Sequence, residues 1–210
     1  MYGLPHPLTL LHEQPEREAF KNKVKLNVQE YWHEKLRREA EPLDSLCYFN
    51  PKYMSLSQPL PLWITWGSNS YEVNKACIQA KYLSGRFGTD TLLNHFSKEN
   101  SKLCQLHPEH QQLGDLVHHL LLCPALADRR ALIFDYWDSL TASSLPCINI
   151  IKAAPVKTFM QFILDCNVLP EVIQARQLHG DIVLKIVFKA SRTYCYLMYQ
   201  ERLKRLDKWH

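Results

Sequence analysis

Apolar residues recur at three- and four-residue spacing over most of the chain, which predicts helices rather than sheet. From Glu16 to Ala40, Phe20, Val24, Val28, Tyr31 and Leu36 fall near one stripe. The other faces carry Arg17, Lys21, Lys25, Glu34, Lys35, Arg37 and Arg38. Charges of both signs at such spacing, as in Glu34 and Arg38, mark a solvated face rather than a nucleic-acid track. A second helix is expected over 70–84, capped by Ser68 or Ser70 and ended by Gly85, with Tyr71, Lys75, Ile78 and Tyr82 sharing one side. Thr89 to Phe96 reads as a short helix. Pro124 suits the first turn of a helix running to about Leu140, whose apolar side is Leu126, Ile133, Phe134, Trp137 and Leu140. A buried helix over 155–165 follows through Phe159, Phe162 and Ile163. Pro170 opens the last stretch, where Gly180 separates a short helix from a long one over 181–208. Ile182, Ile186, Ala190, Thr193 or Tyr194, and Leu197 are its expected buried face.

Two stretches break this pattern. Residues 1–15 carry three prolines and no period, so loose packing is expected there. Between Glu41 and Ser70, Pro42, Pro51, Pro59 and Pro61 forbid a long helix while Leu, Tyr, Phe and Trp stay frequent. That combination describes an extended strap laid over helices. Trp63-Ile64-Thr65-Trp66 alternates enough for a short strand, and its two tryptophans serve either core packing or base stacking. The expected organisation is a loose segment at 1–15, a long helix plus strap at 16–67, a helical region at 68–145 and C-terminal helices at 146–210. The fold class is mainly all-α, an irregular helical array.

Composition narrows this only slightly. The 210 residues are 46% hydrophobic, enough for a real core, and only six are glycine. A net charge of +4 permits nucleic-acid contact without announcing it. The seven cysteines are odd in number and unevenly spaced, and the amino end lacks a basic region followed by an apolar run. An intracellular, reducing setting is therefore expected, with Cys47, Cys77, Cys147, Cys166 and Cys195 as free thiols, mostly buried. No apolar stretch is long enough to cross a bilayer.

The concentrated chemistry lies between Cys104 and Cys123. Two residues separate Cys104 from His107 and four separate His118 from Cys123, with a loop of ten between the pairs. Two thiolates and two imidazoles complete a tetrahedral shell for Zn²⁺ and leave no open position for water or substrate. Asp115 to Leu122 reads as a helical turn or two, and Pro124 pushes Cys123 out of helical geometry. His110 and His119 are alternative ligands. The simpler reading is a buried cysteine beside surface histidines. Elsewhere no Asp-Asp pair, phosphate loop, nucleophile elbow or His-Glu-x₂-His helix occurs, so enzymatic activity is not expected.

Around this stretch stand Lys75, Lys81, Leu83-Ser84-Gly85-Arg86-Phe87-Gly88, then His118, Cys123-Pro124 and Arg129-Arg130. That order resembles the region after the reverse transcriptase in polyproteins of non-LTR (LINE-type) retrotransposons, where a Leu-x-Gly-Arg segment precedes a Cys-x₂-Cys…His-x₄-Cys-Pro zinc element. His107 stands where that family has its second cysteine. The resemblance covers residues 70–137 and, more loosely, the closing basic helix. It implies a non-catalytic module holding Zn²⁺ and binding RNA or DNA, with Lys75, Lys81, Arg86, Arg129 and Arg130 meeting phosphates. The competing expectation is a metal-independent helical scaffold, a relic fragment with no retained partner.

Overall fold

The computed structural model describes residues 6, 8–9, 12, 15–43, 46–49, 69–98, 101–141 and 153–206, with only the backbone of 140 and 141. The strap's prolines beyond Pro42, the Trp63–Trp66 stretch, Cys147 and residues 207–210 lie outside them, as does most of 1–15. The chain divides into two compact units, 1–60 and 61–210.

The first unit is built on helix α1 (Arg17–Ala40), along which no residue is buried. Its surface is laced by ion pairs between neighbouring turns, Glu18–Lys21 at 2.8 Å and Glu34–Arg37 at 2.9 Å among them. Such exposed pairs contribute little to stability each. They agree with the solvated, mixed-charge helix that the spacing predicts.

The second unit contains α2 (Ser70–Leu83), α3 (Asp90–Phe96), α4 (Ala127–Thr141), α5 (Val156–Leu164), α6 (Pro170–His179) and α7 (Ile182–Arg205). No strand forms among the described residues; an isolated bridge joins Leu103 and Leu113. The all-α expectation is met, and each predicted helix appears within a few residues of its expected limits. The N-cap of α2 differs: Asn69, not Ser68 or Ser70, accepts the Tyr71 N–H at 2.8 Å. At the other end Gly85 takes φ of 64°. There the Arg86 N–H returns to the Lys81 carbonyl and the Gly85 N–H to that of Tyr82, closing the helix with its own backbone.

Helix α7 is the hub, packed against α2, α4, α5 and α6. The expected buried face is rotated by about one residue. Val183, Val187, Ala190, Tyr194 and Met198 are buried, with Leu184, Phe188, Ser191 and Cys195 beside them. Ile182 is exposed instead. A helix enclosed on several sides needs no single apolar stripe, so periodicity alone does not choose its face. The core centres on Trp137, whose ring lies 5.7 Å from that of Tyr194 and 5.3 Å from that of Phe162. Gln79 on α2 donates to the Ile163 carbonyl at 2.9 Å and ties α2 to the end of α5. Cys166 and Cys195 are buried, Cys77 is half-buried and Cys47 is exposed, all unbridged. No helix among the described residues is long and apolar enough to cross a membrane.

Replacing Trp137 by Ala empties the centre of this core and is expected to cost about 3–5 kcal/mol, read as a shift in urea unfolding. A loss under about 1 kcal/mol would place the stabilising contacts elsewhere.

Candidate metal centre

Each pair of candidate ligands has its own local device. Residues 102–114 fold back as a short hairpin, with the Cys104 N–H on the Gln112 carbonyl and the Gly114 N–H on that of Lys102, both at 2.9 Å. A single 3₁₀ turn, Pro108–His110, follows His107, and Gln111 in the left-handed region (φ 50°) brings the chain back. Cys104 and His107 therefore lie on one arm and its tip.

The second pair needs a different solution. Residues five apart in an α-helix point about 140° away from each other. From His118 to Leu122 the helix widens into a π turn, and the Cys123 N–H reaches the His118 carbonyl at 2.6 Å. An i→i+5 turn returns both side chains to one side. Asp115 starts it, its carboxylate accepting the His118 N–H at 2.7 Å. Pro124 ends it, holding Cys123 extended at ψ 115°.

The result is a four-donor cluster. One ligand atom from each of Cys104, His107, His118 and Cys123 lies within 4.8 Å of all the others, and all four residues are buried. The sulfurs of Cys104 and Cys123 are 3.9 Å apart, and the Nε2 atoms of His107 and His118 face each other at 3.1 Å. His107 and His118 are 4% and 5% exposed, so they are not surface histidines beside a buried cysteine. The alternatives drop out: His110 is exposed. His119 points elsewhere, its Nε2 on the Tyr82 hydroxyl at 2.7 Å, in a ring cluster with Tyr82 and Phe87. Burial, aided by the Arg202 charge, pushes His119 well below the usual histidine range.

The electrostatics favour a cation. Cys104 is pulled down to about 5, first by the Cys123 thiol bonded to it; burial opposes this, and the Leu106 N–H and the His118 ring assist. Cys123 is pushed up by that same bond, by burial and by the neighbouring negative charge, although the N–H groups of Ala125 and Leu126 also reach it. Cys104 therefore gives up its proton more readily than an ordinary thiol, and Cys123 less readily. The two imidazole Nε2 atoms face each other beside the sulfurs. Two sulfurs, two nitrogens and backbone N–H groups aimed at the sulfurs fit a metal ion; the buried Cys₂His₂ cluster can hold one.

Residues that local spacing did not single out brace this centre. Arg130 is buried and donates to the Cys123 carbonyl at 2.7 Å and the Leu120 carbonyl at 3.3 Å. The Tyr194 hydroxyl also donates to the Leu120 carbonyl. Carbonyls freed by the π turn are thereby satisfied. Asp90, fully buried at the start of α3, accepts the Gln105 N–H at 3.3 Å on one oxygen and pairs with Arg202 at 2.7 Å on the other. Gly114 lies so close that an added Cβ would sit 2.3 Å from the Asp90 carboxylate and 2.7 Å from its Cβ. Only glycine fits between hairpin and carboxylate.

The expected phosphate-contacting residues separate into two groups. Lys75 and Arg130 are buried and their charges face inward. Lys75 reaches Glu72 at 2.8 Å and lies 4.3 Å from the Tyr71 ring centre, while Arg130 holds the π turn. This corrects the expectation for both: a charge engaged inside the chain is not presented to a phosphate. Lys81 and Arg86 are exposed and line a cleft with Tyr199, Arg202, Leu203 and Leu206. Arg129 lines a second cleft with Gln200, Glu201 and Lys204. Positions 199, 202, 203 and 206 occupy one side of the end of α7 and 200, 201 and 204 the other. The outward cations therefore flank that helix end instead of forming one continuous patch.

No protein-family model, curated protein or solved structure matches the chain.

Asp90→Ala leaves Arg202 charged, buried and alone, and removes the acceptor beneath Gln105. A loss of roughly 3–5 kcal/mol in chemical unfolding is expected. A change within about 0.5 kcal/mol would show that the pair does not brace the hairpin.

Proposed function

We propose that Cys104, His107, His118 and Cys123 hold one structural Zn²⁺, and that the helical unit ordered by it is a non-catalytic nucleic-acid-binding module. The buried four-donor cluster carries this reading. Tetrahedral bonds of about 2.3 Å to sulfur and 2.0–2.1 Å to nitrogen require sulfurs about 3.8 Å apart and nitrogens about 3.3 Å apart. The observed 3.9 and 3.1 Å are close to both. Four protein ligands leave no coordination position for substrate, which favours a structural role over a catalytic one.

Binding of nucleic acid is supported by the order of Leu83-Ser84-Gly85-Arg86 and the metal ligands, which resembles the LINE-type region, and by cations left facing outward. Lys81, Arg86 and Lys204 have no side-chain ion-pair or hydrogen-bond partner among the described residues. A second reading, a metal-ordered scaffold without a nucleic-acid partner, draws support from the inward charges of Lys75 and Arg130.

Purified protein is expected to contain one zinc per chain by elemental analysis, and Cys104→Ser to lose most of it. A chelator should lower the melting temperature of the parent and leave that of Cys104→Ser unchanged, because binding energy at such a site is folding energy. Metal-free parent protein with undiminished stability would refute the structural-zinc reading. For the partner, Lys81→Ala with Arg86→Ala is expected to weaken single-stranded RNA and DNA alike and flatten the salt dependence by about one to two charges. No binding by the parent at low salt would leave the scaffold reading.

A further inference from the structure

The cleft beside Lys81 and Arg86 is more than a pair of surface cations. It measures about 250 Å³ and combines Lys81, Arg86, Tyr199, Phe87 and Arg202 with the aliphatic wall of Leu203. The carbonyls at the end of α2 are already closed by the Gly85 and Arg86 N–H groups, so these cations are not needed as helix caps. Tyr199 is held by its edge contact with Phe87, ring centres 5.6 Å apart. Phe87 is itself stacked on Tyr82 at 3.9 Å and on His119 at 5.1 Å. Arg202 is locked by Asp90, the residue that also carries the metal hairpin. The walls are thus fixed before any ligand arrives, while the two rim cations stay uncommitted. Across α7 the larger cleft of about 430 Å³ has no ring among its lining residues and includes the Glu201 carboxylate.

We infer that the Lys81–Arg86–Tyr199 cleft takes one unstacked nucleotide of a single strand, its base against Tyr199 and its phosphate on Lys81 and Arg86. This rests on the nucleic-acid reading above and adds where the strand is gripped and by what. Ring stacking is tolerant of base identity because every base has a π face, so affinity should depend on the presence of bases and little on their sequence. The phosphate contacts should depend on salt and the ring contact should not.

The probes are a fluorescent twelve-nucleotide thymidine strand and an abasic strand of equal length, titrated with zinc-loaded full-chain protein by anisotropy at several salt concentrations. The parent should bind the thymidine strand roughly tenfold more tightly than the abasic one. Tyr199→Leu should bring the two strands to similar affinity with the salt slope retained, and Tyr199→Phe should preserve the difference. Lys81→Ala with Arg86→Ala should flatten the slope for both strands. If Tyr199→Leu does not fold, the parent's comparison of the two strands still decides. Equal affinity of the parent for both strands, or a Tyr199→Leu variant that folds and keeps the parent's discrimination, overturns the cleft while the nucleic-acid reading stands. Absence of binding to either strand at low salt overturns both.

Discussion

Two thiols and two imidazoles crowded together in the interior constrain the chain around them. Buried polar groups are costly unless satisfied, and this cluster satisfies itself only in part. The Cys104 sulfur leans on the Cys123 S–H, which favours its thiolate, and the Nδ1 of His107 has no hydrogen-bond partner among the described residues. The surrounding chain is shaped to hold the donors together all the same. A hairpin that needs glycine at 114, a helix widened at 118–122 and a proline at 124 each depart from regular structure, and each aims a ligand. Local departures of this kind are found where a site has to be positioned, and what these three share is the buried donor cluster that can hold a metal ion.

The cluster is tied to the rest of the helical unit through buried charge. Arg130 fixes the carbonyls of the π turn, and Asp90 joins the hairpin to Arg202 near the end of α7. Breaking such a pair by removing one partner is far more damaging than never having had it, so the strut makes the hairpin and α7 cooperate. α7, packed on α2, α4, α5 and α6, thus joins the 102–114 hairpin to the helix end that lines both clefts.

The four clustered donors were legible in the sequence because both pairs are local: three positions apart in a tight turn, five apart before a proline. The helices were legible too, since each apolar stripe repeats over several turns. The face of α7 was not, because a helix surrounded by neighbours hides apolar residues on more than one side. Lys75 and Arg130 were misread for a related reason. A cation on a helix has the same sequence signature whether it reaches water or turns inward, to Glu72 three residues away or to carbonyls seven and ten residues back. Asp90 and Arg202 stand 112 residues apart, and nothing in local spacing connects them. Asn69 was passed over for neighbouring serines that also make good caps.

Whether an ion occupies the cluster, and which four side chains bind it, decides the role of everything built around it. X-ray absorption at the zinc edge reads both directly from protein purified without added metal. Two sulfurs at about 2.3 Å and two nitrogens at about 2.0–2.1 Å are the shell it requires. A shell of oxygen and nitrogen alone, or the same spectrum after Cys104→Ser, would contradict it.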